Sequence, residues 1–196
     1  MPIRFLIPRS KYLASGIHIG MKQKTKQIEE FIYNIRPDGL AVFNLKKVDE
    51  RIRIAAKFLA RCTNILVTSR KPIVFQPIKK FCELIKCKVV TGRFMPGMLT
   101  NPSYEEYFEA NVVLVVDPLI DFQAIQEAVK ARVPVVALCD TFNETKDIDL
   151  IIPCNNVGKR AIATIFWLLA REILKERKEI KSDREFKHEI ESFEAR

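Results

Sequence analysis

The sequence predicts an α/β protein built on a doubly wound, mainly parallel sheet of about five strands with helices on both faces. Two patterns carry this. From residue 40 onward, strand-like and helix-like segments alternate, the signature of βαβ units. Residues 112–116 (VVLVV) form an unbroken apolar run, as expected of a central parallel strand buried on both faces.

The elements follow in order. Residues 40–44 (LAVFN) read as a first short strand, and Asp49 is placed to cap the helix behind it. Ile54, Ala55, Phe58 and Leu59 then share one helical face. Residues 65–69 (ILVTS) read as a strand. Pro77 suits the first turn of a helix running to Ile85, with Ile78, Phe81, Cys82 and Ile85 inward. Residues 88–91 (KVVT) make a short strand. Residues 92–102 (GRFMPGMLTNP), with two glycines and two prolines, read as an ordered loop. Asp121 can cap a helix to about Ala131, followed by buried strand 134–139 and a short strand at 149–152. A long helix from about 158 to 178 repeats Ile162, Ile165, Phe166, Leu169 and Ile173 at helical spacing. Residues 1–180 thus read as one domain with a basic N-terminal arm. Residues 181–196, where charges alternate and apolar residues thin out, read as a flexible charged tail.

Composition bounds the function. The 196 residues are 48% hydrophobic and 29% charged, ordinary for a globular chain. The apolar stretches are far shorter than the roughly 20 residues a membrane span needs, and none matches a signal peptide. Five cysteines at irregular spacing, with no C-x-x-C pair, favour an intracellular protein with neither a disulfide framework nor a zinc ribbon. The net charge is +9, and residues 171–196 contribute none of it. Six basic residues precede the first acid, Glu29. A one-sided excess of this kind points to a polyanion, although charge alone fits a merely soluble basic surface equally well.

The sheet class hosts many nucleotide enzymes, but the phosphate-binding chemistry is missing. Such sites need glycines after the strands, where backbone N–H groups approach phosphate. Here the strands are followed by Leu45-Lys46-Lys47, Arg70-Lys71-Pro72 and Asp117-Pro118. Asp117, Asp121 and Asp140 fit turn and cap roles better than a Mg²⁺ site. His18, between Gly16 and Gly20, has no nucleophile nearby and reads as packed or RNA-facing. No catalytic residue, metal ligand, cofactor or small-molecule substrate is assigned. Basic residues in loops and at helix starts remain as candidate RNA contacts: Lys22, Lys24 and Lys26, then Arg36, Arg70, Lys71, Arg93, Lys159 and Arg160.

Several segments carry a family resemblance. Residues 12–25 (YLASGIHIGMKQKT) and 31–40 (FIYNIRPDGL) resemble the N-terminal signature of small-subunit ribosomal protein two, the laminin-receptor-precursor family. DERIRIAAKFLAR, GRFMPGMLTNP, DPLIDFQAIQEAV, PVVALCDT, DLIIPCNN and WLLAREIL are similar to that family in order and spacing, from Tyr12 to about Glu179. Only Cys62-Thr63-Asn64 separates a helix from the next strand, leaving no room for the bacterial helical insertion. The long acidic extension of animal members is also absent. The resemblance is therefore to the archaeal type. It implies a flavodoxin-like three-layer α/β/α fold and a structural, non-catalytic role in the cytoplasmic small ribosomal subunit. The implied partners are ribosomal RNA and neighbouring ribosomal proteins. Residues 69–76 (SRKPIVFQ) depart from the family's more polar run, so the implied RNA contact rests more on Lys22, Lys24 and Lys26 than on Arg70 and Lys71.

Overall fold

A computed structural model describes residues 5–183 and 185–194. Five strands form the main sheet: β3 (Ile65–Ser69), β4 (Lys88–Thr91), β5 (Val112–Val115), β6 (Val135–Cys139) and β7 (Leu150–Pro153). Their spatial order is β4-β3-β5-β6-β7, and every neighbouring pair is parallel. Ranked along the chain this is 2-1-3-4-5, the doubly wound flavodoxin-like order. Strands β3, β5 and β6 are buried along their whole length, which is why they are apolar without alternation.

The segment 40–44 belongs elsewhere. Strand β2 (Ala41–Phe43) pairs antiparallel with β1 (Ile32–Ile35) in a separate hairpin. The reason is local. Arg36 N–H donates to the Leu40 carbonyl across the Pro37-Asp38-Gly39 turn, where Gly39 takes a positive φ of 85°.

Helix α2 (Leu45–Arg61) starts five residues earlier than expected, capped by Asn44, whose side chain accepts from Lys46 N–H at 3.0 Å. Asp49 is not a cap. It is fully buried and accepts from Leu6 N–H (2.8 Å), Tyr12 Oη (2.7 Å) and Arg53 Nε (2.9 Å). Turning Asp49 inward rotates the helix, so Val48, Ile52, Ala55, Ala56 and Leu59 face the core while Ile54 and Phe58 are exposed. Asp49 thereby anchors the N-terminal helix α1 (Arg9–Ser15) to α2, and burial together with the Asp49 carboxylate pushes the Tyr12 hydroxyl pKa far up.

Helices α2, α3 (Phe75–Ile85) and α5 (Lys159–Glu176) pack together on one face of the sheet. The other face is covered by α4 (Phe122–Ala131) and the loop of residues 92–111, which buries Phe94, Met98 and Leu99. The loop is pinned by one carboxylate. Buried Glu127 accepts from Gly97 N–H (2.8 Å) and Leu99 N–H (3.3 Å), and from Gln123 Nε2 (3.0 Å).

Both ends of the chain pack on the body. The N-terminal arm buries Tyr12, Ile17 and Ile28 wholly. The segment read as a flexible tail also lies against the body. Trp167 Nε1 donates to the His188 carbonyl at 2.6 Å, Phe186 meets the Trp167 ring edge-on, and Phe193 is 0% exposed against α3 and α5. Three apolar residues among many charges (Phe186, Ile190, Phe193) suffice to dock it. Arg4, counted in the N-terminal excess, and Arg184, Ala195 and Arg196 of the tail lie outside the described residues. Among the described residues no helix is long and apolar enough to cross a membrane.

Glu127→Ala leaves two loop N–H groups without their acceptor, and each such loss costs about 1–3 kcal/mol. Urea denaturation of this variant is expected to show a stability loss of roughly 2–4 kcal/mol. A loss below that of an ordinary surface alanine would show that the loop is held by its apolar contacts instead.

Candidate nucleic-acid interface

In a sheet of this order a ligand crevice opens at the carboxyl ends of β3 and β5, where the winding reverses. Here the chain's own side chains cross it. Lys71, following β3, reaches Asp117, following β5, with Nζ–Oδ2 at 2.6 Å. Lys71 Nζ also donates to the carbonyl (3.1 Å) and Oδ1 (3.3 Å) of Asn156. Asn156 Nδ2 in turn donates to the carbonyls of Val116 and Leu138 and to Asn143 Oδ1. Asn143 Nδ2 completes the circuit on Asp117 Oδ1 at 2.9 Å. These bonds join the ends of β3, β5, β6 and β7.

Two further carboxylates lie in this layer. Asp121 accepts from Arg70 N–H at 2.8 Å, and Asp140 accepts from Thr141 N–H at 2.6 Å. Each keeps one buried oxygen, Oδ2, with no hydrogen-bond partner. Burial pushes the Asp121 carboxyl up to about 6 against the pull of its backbone donors, and Asp140 also rises to about 6 for the same first cause. Asp117 thus does more than shape its turn, where it accepts from Leu119 N–H at 3.0 Å, and Asp121, at the N-cap position of α4, turns its carboxylate to Arg70 N–H instead of capping the helix as its sequence context predicts. Among the described residues no group of three or more His, Cys, Asp or Glu side chains is arranged to hold a metal ion.

The N-terminal segment runs along the same edge. Met21 N–H donates to Thr141 Oγ1 (2.9 Å), Thr25 N–H to the Thr141 carbonyl (2.9 Å), and Thr25 Oγ1 to the Asn143 carbonyl (3.0 Å). Gly20 is required there. A Cβ at this position would lie 2.4 Å from Thr141 Cγ2 and 3.3 Å from the Ala41 carbonyl oxygen. Upstream, Asn155 N–H and Nδ2 donate to the carbonyls of Ile17 and Gly16, tying the segment to the entry of α5.

Because the strands are parallel, their carboxyl ends share one edge, and the basic candidates gather there. Arg93 follows β4 and Arg70 follows β3, while Lys159 and Arg160 open α5 after β7. Lys22, Lys24 and Lys26 lie on the segment bound to the loop after β6, and Lys22 packs within van der Waals reach of Gly39 in the hairpin turn that carries Arg36. All eight of these are exposed. Arg160 makes one surface ion pair, with Glu194 at 3.7 Å. Lys71 is the exception: its side chain is 15% exposed and committed to Asp117. The reason is topological, since a lysine at the switch point faces a buried aspartate from the neighbouring strand.

Beside this edge the structure places residues that sequence reasoning passes over. Arg9, Tyr33 and Lys46 line a pocket of about 400 Å³, with His18 at its wall. Of these, His18 alone stands out in the sequence, and it is packed, 7% exposed. Burial, and secondly the nearby Arg36, lower its pKa against the backbone carbonyl of Tyr12. The available signal was FIYN beside the PDG turn, a hairpin cue that places an aromatic on an exposed strand.

The sequence matches the family model described as Ribosomal protein S2 over residues 12–107 and 106–176. The small ribosomal subunit protein uS2 of Pyrobaculum calidifontis is 48% identical over 196 residues, covering 98% of this chain and 94% of the relative. That of Picrophilus torridus is 47% identical over 99% of this chain and 98% of its own length. The Staphylothermus marinus protein of the same name is 52% identical over 177 residues, covering 89% and 80%.

Two outcomes are expected for the switch point. Between pH 7.5 and 5 the folded state takes up protons on Asp121 and Asp140 that the unfolded chain, with carboxyls near 3.8, does not. Their contribution to stability therefore rises as pH falls through about 6. In Asp121→Asn the urea midpoint should change less over this range than in the parent, and equal slopes would refute the assignment. Lys71→Ala strands Asp117 as a buried, uncompensated charge and should cost about 3–5 kcal/mol. Thermal melting reads the difference from Arg70→Ala, which should stay within about 0.5 kcal/mol of the parent.

Proposed function

The chain belongs to the ribosomal protein S2 family, and on that premise we propose that it is a structural constituent of the small ribosomal subunit. In this reading it holds folded ribosomal RNA against the basic carboxyl edge of its sheet. The observation that carries the RNA contact is the convergence of Lys22, Lys24, Lys26, Arg36, Arg70, Arg93, Lys159 and Arg160 on that edge. These residues come from five separate segments, so their charges form a broad, shape-following footprint rather than one basic helix. Lysine and arginine in such a footprint act on phosphates and fix orientation without reading sequence.

The role is scaffolding, as the family assignment requires, and the side chains spanning the switch point serve stability rather than turnover. Neighbouring ribosomal proteins are the second class of partner. The exposed apolar loop after β5, with Leu119, Ile120 and Phe122, is the surface we assign to such a neighbour. Residence in the small subunit implies a cytoplasmic location.

Binding to small-subunit RNA is expected to weaken linearly in log–log terms with salt. Replacing Lys22, Lys24 and Lys26 together by Ala should reduce that slope by roughly 2, because each phosphate neutralised by a lysine adds about 0.7–0.9 to it. Filter binding across a salt series measures it. An unchanged slope, with co-sedimentation on small subunits intact, would remove the N-terminal lysines from the interface.

A further inference from the structure

We propose that the pocket between α1 and the β1–β2 hairpin is a subsite for a single unstacked nucleotide of an RNA strand, with the Tyr33 ring as its stacking platform. The inference rests on the RNA-binding reading above and adds to it a distinct site with a distinct chemistry.

Tyr33 carries the argument. Along the hairpin, Ile32 pairs with Phe43 and Asn34 pairs with Val42, so two residues of β1 advance where β2 advances one. Tyr33 is the extra residue of this bulge. Bulges re-aim side chains, and this one leaves the Tyr33 ring 75% exposed, the most exposed large apolar side chain among the described residues. The ring borders the pocket instead of joining the core. A tyrosine held out on a short, bulged strand costs solvation of its apolar face, and a stacked base returns it.

The pocket's shape and charge select the partner. Its volume of about 400 Å³ lies within the roughly 300–1,000 Å³ of small-ligand sites. Leu13 and Val42 give it an apolar wall suited to the flat face of a base. Arg9 and Lys46 stand at its rim and no carboxylate lines it. The N-terminus of α2 opens into it, so helix-end N–H groups add to the positive field. The imidazole of His18, more than nine-tenths buried, lines the same space, and its Nδ1 has no hydrogen-bond partner. A site with cations, a helix N-terminus and an aromatic face, but no acid, matches a phosphate–sugar–base unit. An apolar protein side chain would use the wall and leave the charges idle.

The geometry also sets the kind of RNA. Stacking on the exposed Tyr33 ring with sugar and phosphate against the pocket takes a base whose face is free, so the segment must be a loop, bulge or single strand. Arg36 lies on the turn of the same hairpin, which connects this subsite to the basic edge.

The test uses the full chain with a fluorescein-labelled single-stranded adenylate hexamer and, separately, a blunt RNA duplex, read by anisotropy. Tyr33→Ala is expected to weaken the hexamer by about tenfold or more, the scale of removing one base–aromatic stack. Tyr33→Phe should bind as the parent does, and the duplex should be unaffected by either. The salt slope for the hexamer should not change in Tyr33→Ala but should fall by about 1 in Lys46→Ala. Hexamer binding unchanged in Tyr33→Ala would overturn the proposal, as would equal losses for hexamer and duplex. Parent protein that binds duplex and ribosomal RNA but not the hexamer would also overturn it, pointing to a protein side chain as occupant and leaving the scaffold role standing. Failure of the parent to bind any RNA would instead strike the function proposed above.

Discussion

The ion pair of Lys71 with Asp117 is the constraint around which the rest of the molecule is arranged. It joins the first and third strands of the parallel sheet where the winding direction reverses. In sheets of this order that place is a crevice where ligands bind. Here a buried charge pair occupies it, and a buried pair is tolerated only when its remaining hydrogen-bonding capacity is met. Asn143 and Asn156 meet it, and they are fixed by the backbone of neighbouring strands. A ligand phosphate would have to displace this whole circuit. The same fold that elsewhere holds a nucleotide inside the sheet edge is thereby turned to work on its outside.

That outward shift explains the distribution of charge. Lysines and arginines at the carboxyl edge sit on loops leaving the strands, at the start of α5, in the hairpin turn or on the N-terminal segment laid across them. The rigid layer beneath sets their relative positions, while their side chains remain in solvent. Gly20 and Thr141 show how close the overlay is, since no side chain fits between them. Glu127 does the equivalent task on the opposite face, where a long loop substitutes for a helix.

The parallel sheet and most helices were legible because the signals were local: unbroken apolar runs for β5 and β6, and helical periodicity for α5. The basic candidates were legible as residue types, and the parallel topology then explained their convergence. What escaped depended on contacts distant in sequence. Asp49 resembles a cap until Tyr12, 37 residues away, is seen to donate to it. Lys71 resembles a surface lysine until Asp117 is placed opposite. The strand-like run 40–44 gave no hint of which partner it would choose, and Tyr33 had no meaning before the bulge was known. The closing segment looked like a tail because its buried Phe186 and Phe193 and half-buried Ile190 are outnumbered by charges, although burial of a few aromatics outweighs solvation of many exposed charges.

The stitching of the N-terminal segment has a consequence in time. Met21 bonds to Thr141 across 120 residues of chain, Thr145 bonds to Gln27 across 118, and Asn155 bonds to Gly16 across 139. Synthesis proceeds from the N-terminus at about 5–20 residues per second. Lys22, Lys24 and Lys26 therefore emerge first; the bonds of Gly20 and Met21 to Ala41 can hold the start of their segment, but its contacts with Thr141 and Asn143 wait for residues beyond 140. For most of its birth the chain carries its cations on a strand anchored at one end. Only an almost finished molecule can hold them in register, so their ordered arrangement doubles as a mark of completion.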